Sequence, residues 1–326
     1  MKALLCEEYG PIEKLVVGER DAPQPGPGQV RIAVHACGIN FADTLIVQGK
    51  YQEKPALPFS PGLEVAGEVV ELGDGVEGLA PGDRVICLCG NGGMAEEVCG
   101  PASSTVRIPD EMDFETAAGF SVTYGTSHVA LDFKARLQPG ETLLVHGAAG
   151  GVGLTAVELG KLMGATVIAT ASTDEKLALA KRYGADHLIN YSQGEFREQV
   201  KALTNGAGAD VIYDPVGGDT FDQSVRCINW DGRILVIGFA SGVIPKLSTN
   251  IALVKSFSVM GLYWGAYTRR KPAVLQDSWR TLLDWYAQGK LRPHISRTFA
   301  LQDGASALAH VAGRQATGKV VVTVRP

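Results

Sequence analysis

The stretch Glu141–Gly164, ETLLVHGAAGGVGLTAVELGKLMG, decides the fold. It opens with an apolar run, Thr142 to Val145, of the kind that forms a buried parallel strand. A turn crowded with Gly147, Gly150, Gly151 and Gly153 follows, and then Val152, Ala156, Leu159 and Met163 at helical spacing. Glycines let the backbone turn sharply and approach a ligand closely. The helix start presents unpaired N–H groups and the positive end of its dipole. Strand, glycine turn and helix in that order form a candidate pyrophosphate cradle at Ala149, Gly150, Gly151, Val152 and Gly153. Taken alone, the cluster would equally suit a plain turn.

Working outward, the residues beyond Thr142 alternate between strand and helix patterns. Thr166–Ala171, His187–Asn190, Val211–Asp214, Ile234–Ile237 and Ser258–Leu262 are strand-like, with helices expected at 174–183, 194–203 and 220–228. Strands separated by helices imply right-handed crossovers and an open parallel sheet covered on both faces. The glycine turn follows the first strand of that sheet, where a doubly wound fold binds its dinucleotide. Upstream the texture differs. Val30–Ala36, Glu64–Leu72 and Arg84–Leu88 are short strands bounded by glycine or proline, and helical signal is weak until Phe114–Ala130. The tail holds helices over 274–288 and 301–311, a polar stretch around Arg292-Pro293-His294, and a closing strand from Lys319 to Val324. That last strand has no mate in the parallel sheet and is expected to return to the N-terminal β region.

A chain of 326 residues, 45% hydrophobic, with forty glycines in no triplet period, is expected to form about two globular domains. Net charge is −5 and the largest basic block is Arg269-Arg270-Lys271, which argues against nucleic acid or an anionic membrane as the main partner. Runs such as Thr142–Val157 are too glycine-rich and short to span a bilayer, and the N-terminus lacks the pattern of a signal peptide. Six cysteines without paired spacing suggest reduced thiols in the cytoplasm.

The end of the second strand, VIATASTDEKL, selects among nucleotides. An NAD-type site has an acidic residue about 20 residues beyond the glycines to hold the ribose hydroxyls. Here Ala171, Ser172 and Thr173 stand at that position. A small hydroxyl at Ser172 with Lys176 four places on suits a 2′-phosphate, which a carboxylate would repel. A serine N-cap and a surface lysine would look the same. Tyr191 closes the third strand, where it could flank the adenine or its phosphate, or simply sit in a loop. Together these residues favour NADPH over NADH.

With these motifs read, the chain resembles the medium-chain dehydrogenase/reductase superfamily, and within it the zinc-free quinone oxidoreductase group that includes zeta-crystallin. The likeness spans nearly the whole chain and is carried by HACGINFADTLIVQGKY (35–51), PGLEVAG (61–67), PGDRV (81–85), VHGAAGGVGL (145–154), ASTDEKL (171–177) and TGKVVV (317–322). It implies an α/β protein: a GroES-like, mainly β catalytic domain over residues 1–120, completed by 266–326, around a Rossmann doubly wound parallel-sheet domain at 121–265. It also implies that Asn40, Phe41 and Thr123 line the nicotinamide end, that Gly238, Phe239, Ala240 and Ser241 follow the cofactor, and that Arg314 reaches the 2′-phosphate. A homodimer joined through the last Rossmann strand is implied as well.

Zinc-dependent relatives ligate a catalytic metal at three separated sites, which align here with Asn40, Leu63 and Ala118. Leucine and alanine have no ligating side-chain atoms, so no metal is expected. Without a Lewis acid to polarise an alcohol or aldehyde, hydride transfer to a quinone or an activated alkene becomes the natural chemistry, because the product anion is delocalised. The group's pattern often has a tyrosine just after Asp43-Thr44; this chain has Leu45, leaving Tyr51 as the nearest phenol and candidate proton donor beside Asn40. The expected function is an NADPH-dependent quinone oxidoreductase. Reduction of an alkenal, enone or acrylate-type double bond is the alternative, and a non-catalytic nucleotide- or RNA-binding protein a third possibility.

Overall fold

The computed structural model describes residues 1–325 in two units, Met1–Val122 together with the residues from Leu283 onward, and Thr123–Leu282. In chain order the first unit contributes β1 (Lys2–Leu5), β2 (Val16–Glu19), β3 (Gln29–Ile39), helix α1 (Phe41–Val47), β4 (Glu64–Leu72), β5 (Arg84–Leu88), β6 (Glu97–Pro101), β7 (Thr105–Arg107) and α2 (Phe114–Ala118). Helix α3 (Ser121–His128) leads into β8 (Thr142–Val145), α4 (Gly151–Leu162), β9 (Thr166–Ala171), α5 (Asp174–Arg182), β10 (His187–Asn190), α6 (Phe196–Leu203), β11 (Ala209–Asp214), α7 (Asp219–Cys227), β12 (Ile228–Val236), α8 (Thr249–Lys255) and β13 (Ser258–Gly261). After α9 (Tyr267–Arg270) and α10 (Pro272–Ala287), the chain closes with β14 (Ile295–Ala300), α11 (Gly304–Ala312) and β15 (Lys319–Thr323).

The second unit is built on a six-stranded parallel sheet in the order β10-β9-β8-β11-β12-β13. Its strands are short apolar runs because parallel strands are covered on both faces. Ile168, Leu144, Ile212 and Ile234 lie in register across four adjacent strands and are fully buried, forming one core row. The chain moves outward from β8 through β9 to β10, then restarts on the other side of β8 with β11. The turn after β8 therefore stands at the topological switch point, where doubly wound sheets bind ligands.

The first unit holds a seven-stranded sheet, β14-β15-β3-β4-β5-β7 with β6 also on β3, and a β1-β2 pair. The closing strand β15 pairs antiparallel with β3, so it does return to the N-terminal β region. Val30, Ile32 and Val34 alternate along β3 and pack with Val65, Val85, Val320 and Val322.

Some expectations shift. The helical stretch over 114–130 is two helices, because Gly119 caps α2 with its N–H on the carbonyls of Glu115 and Thr116. The stretch after Arg292, expected as polar connection, contains β14; Ser296, Arg297 and Thr298 are exposed in succession, so no alternation marks the strand in the sequence. Residues 266–282, which the sequence reading grouped with the N-terminal part, cluster with the parallel-sheet unit. Among the described residues, no helix is long and apolar enough to cross a membrane.

Candidate functional site

Two groups of residues carry chemistry, one in each unit. In the parallel-sheet unit, Gly147 (φ +57°) reverses the chain after β8, and Gly150 donates its N–H to the Gly147 carbonyl at 2.9 Å. Ala148 N–H bonds the Thr170 carbonyl at 3.0 Å, pinning the turn to β9. The first helical bond of α4 runs from Leu154 N–H to the Gly150 carbonyl at 2.8 Å, so the N–H groups of Gly151, Val152 and Gly153 precede the ladder. Gly150 is the N-cap and supplies no side chain to cover them. A Cβ on Gly153 would lie 2.1 Å from the Gly147 carbonyl oxygen, which only glycine avoids. The result is a bare helix N-terminus with close backbone access, suited to a pyrophosphate.

Beneath the turn His146 is buried between Thr170 Oγ1 (2.9 Å) and Ser224 Oγ (2.8 Å). Burial pushes its pKa down to about 4, against a smaller opposing pull from Asp214. A neutral imidazole thus ties the ends of β8 and β9 to α7. Asp214 accepts the N–H groups of Val216 (2.8 Å) and Gly217 (2.9 Å), shaping the loop after β11. Ala240 and Ser241, beyond β12, bond the Pro215 and Val216 carbonyls. At the end of β9 the N-cap of α5 is Thr173, whose hydroxyl accepts the Lys176 N–H at 3.3 Å; Ser172 is not the cap. The Ser172 carbonyl instead accepts the Ser192 hydroxyl at 2.7 Å, and Asp174, the nearest acid, is engaged by Asn190 Nδ2 at 2.7 Å. Tyr191 is exposed just after β10. The expected residues Ala149 to Gly153, Ser172, Lys176, Tyr191 and Gly238 to Ser241 all follow the carboxyl ends of parallel strands. Thr123 also belongs to this unit, and its carbonyl accepts the Thr155 hydroxyl at 3.1 Å.

The first unit holds Asn40, Phe41, Tyr51 and Arg314. Asn40 precedes α1, and Phe41 is its first residue. Asn40 Nδ2 donates to Glu64 Oε1 at 2.9 Å, while its Oδ1 accepts from Lys319 Nζ at 2.9 Å. Lys319 Nζ also donates to Glu64 Oε1 (2.7 Å) and the Ile39 carbonyl (2.8 Å). The other Glu64 oxygen accepts the Ser121 hydroxyl (2.6 Å) and the Val122 N–H (2.9 Å). Glu64 is 0% and Lys319 5% exposed, so this ion pair is buried and fully hydrogen-bonded. Asp43, also buried, accepts the backbone N–H groups of Asn40 (2.7 Å) and Gly62 (3.2 Å); burial raises its pKa to about 7 despite those bonds. Tyr51 packs at the margin of the first unit's core, and Arg314 is exposed beyond α11 with φ +56°.

Sequence reading missed Lys319. The only cue was a lysine opening the apolar run Val320-Val321-Val322, a costly place for a charge without a partner.

The positions aligned with zinc ligands do not fit that metal. The Asn40 amide oxygen, the atom that could ligate a metal, is taken by Lys319, Leu63 packs against the core, and Ala118 is buried. Lys319 already supplies a positive charge to Glu64. Burial pushes the Cys87 thiol up to about 12 and Cys89 also well above its usual value, so both stay protonated. Among the described residues, no three His, Cys, Asp or Glu side chains are grouped to hold a metal ion.

Comparison with known proteins agrees with this geometry. Residues 26–110 match the family described as alcohol dehydrogenase GroES-like domain, and residues 151–288 the zinc-binding dehydrogenase family. The chain is 46% identical over 328 residues to the quinone oxidoreductase-like protein 2 homolog of Nematostella vectensis, covering 99% of this chain and 89% of that one. It is 34% identical to a 2-haloacrylate reductase of a Burkholderia species, over 99% and 98% of the two chains. Escherichia coli quinone oxidoreductase in complex with NADPH matches with a TM-score of 0.94 at 29% identity, over 99% of this chain and 100% of that one. The chain belongs to the medium-chain dehydrogenase/reductase superfamily, in its quinone oxidoreductase-like group. It is an oxidoreductase with the two-domain α/β architecture of that group.

Proposed function

We propose that the chain is an NADPH-dependent quinone oxidoreductase that works without zinc. The observation that carries the reading is the bare N-terminus of α4 at the switch point of the parallel sheet, with no carboxylate at the end of β9. The reductant is NADPH. The N–H groups of Gly151, Val152 and Gly153 receive its pyrophosphate, and Ser172 and Lys176 its 2′-phosphate, with Tyr191 and Arg314 flanking. Gly238, Phe239, Ala240 and Ser241 border the cofactor's path, and Phe41 and Thr123 its nicotinamide end. NADPH-bound relatives of high structural similarity support the assignment.

Bound NADPH supplies a hydride to the acceptor. The chain's residues position the acceptor, exclude water and meet the negative charge that develops on its oxygen. Asn40 is the group offered to that oxygen, and Tyr51 or water returns the proton. Per turnover, quinone, NADPH and a proton give hydroquinone and NADP⁺. A second reading, reduction of an activated carbon–carbon double bond by the same hydride, is favoured by the similarity to a 2-haloacrylate reductase.

We assign the active form as a homodimer, on the strength of the open edge of β13 and the exposed Leu253 and Val254 of the adjoining α8. The free thiols among the described residues suit a reducing, cytoplasmic setting.

NADPH oxidation measured with 1,4-benzoquinone, an enal and an acrylate in parallel tests the acceptor. Turnover is expected with the quinone; activity confined to the alkenes establishes the second reading. Titration with both nicotinamide cofactors is expected to show tighter binding of NADPH, and preference for NADH would overturn the roles of Ser172 and Lys176.

A further inference from the structure

We infer that Lys319 and Glu64 are positioning residues that orient and polarise the Asn40 amide toward the acceptor, an inference that rests on the acceptor-side role of Asn40 proposed above. One observation and two physical arguments lead there. The amide is held at both ends, with its oxygen on an ammonium and its nitrogen on a carboxylate. Rotating it by half a turn would set N–H against Lys319 and oxygen against Glu64, two repulsive contacts, so the buried pair selects one orientation. The ammonium on Oδ1 draws electron density from the amide and strengthens its N–H groups as donors.

The donor capacity of the network then leaves one group to act. Lys319 uses all three protons, on Glu64, Asn40 and the Ile39 carbonyl. Glu64 is met by four donors. Neither can contact an acceptor. Asn40 Nδ2 carries two N–H groups; it donates to Glu64 at 2.9 Å, and its other contact among the described residues is the Gly38 carbonyl at 3.4 Å, beyond the usual range for such a bond. That second N–H is the donor available to an oxygen gaining charge during hydride transfer. Asn40 itself is partly exposed, whereas Glu64 and Lys319 are buried, so the pair acts through the amide. Asp43 supports the same arrangement by accepting the Asn40 backbone N–H at 2.7 Å.

The test is a mutant cycle read by the single-turnover rate of NADPH oxidation with 1,4-benzoquinone, alongside the NADPH dissociation constant and thermal melting. Lys319→Met is expected to slow the hydride step by about 10- to 100-fold, less than the roughly 100- to 1,000-fold of deleting a pre-oriented donor because the Asn40 amide is still present, with NADPH affinity within about twofold of wild type. Lys319→Arg restores most of the rate. Adding Lys319→Met to Asn40→Ala lowers the rate no further than Asn40→Ala alone, because the lysine acts through that amide. The pair Glu64→Gln with Lys319→Met removes both buried charges. It carries the test if Lys319→Met does not fold, and it stays slow if orientation matters beyond neutralising Glu64. A wild-type rate in the folded neutral pair, or additive losses in the cycle, overturns the positioning role. A wild-type rate in Asn40→Ala instead removes the acceptor-side reading on which this inference rests.

Discussion

Gly153 shows how one residue secures the nucleotide turn. Its missing Cβ leaves room for the Gly147 carbonyl, which would otherwise lie 2.1 Å away. Gly153→Ala must push the turn from the start of α4, an overpacking of backbone that costs roughly 1–3 kcal/mol. We expect a lower melting temperature and weaker NADPH binding in that variant, measured by thermal unfolding and fluorescence titration; wild-type affinity would show that the cradle tolerates the shift. Glycines in this turn were legible from sequence because their spacing follows a strand and opens a helix. Lys319 was not, since a single charge beside valines says nothing about which carboxylate will meet it. Its partner Glu64 is 255 residues away along the chain. Thr173 rather than Ser172 capping α5 was equally unreadable, because adjacent hydroxyl residues offer the same chemistry and only backbone geometry chooses between them.

At the level of elements, the parallel sheet was the most legible part. Continuous apolar runs separated by amphipathic helices leave few other arrangements, and all the expected strands of that sheet formed. Strand β14 was lost to sequence reading because its middle residues are polar and exposed. Strand β13 poses a different question. It pairs with β12 on one side and is the last strand of the sheet, with Val259 38% exposed in register with the core residue Ile234. Helix α8, which leads into it, presents Leu253 at 81% and Val254 at 70% exposure. Exposed apolar residues beside an open strand edge suit pairing with a second copy. The double substitution Leu253→Asp with Val254→Asp is expected to convert a dimer to a monomer in light scattering while NADPH binding persists. A wild-type chain that is already monomeric at micromolar concentration would reject the homodimer.

Across the whole molecule, two buried titratable groups give stability opposite responses to pH. His146, in the parallel-sheet unit, is held at about 4 against a usual 6.5, so the unfolded chain binds a proton the folded chain refuses. Its contribution is lost as pH falls from about 6.5 toward 4. Asp43, in the other unit, is raised from 3.8 to about 7, so the folded chain holds a proton the unfolded chain releases. Its burial therefore costs stability as pH rises from about 4 to 7. Melting temperatures between pH 7 and 4.5 are expected to fall less steeply in His146→Gln than in wild type, and more steeply in Asp43→Asn. Parallel profiles for all three proteins would contradict both assignments.

Local pattern was enough to determine the doubly wound sheet and its glycine turn. Those features rest on residue periodicity and on the backbone freedom of glycine, which act over a few neighbouring residues; the return of the last strand to the N-terminal β region was expected only because the parallel sheet offered it no mate and the family resemblance did. Tertiary structure alone decided what surrounds Asn40. The ammonium of Lys319 and the carboxylate of Glu64 come from strands distant in sequence, and burying either charge alone would be strongly unfavourable. Such a pair forms only when packing brings both to one place, and for that reason no spacing along the chain announces it.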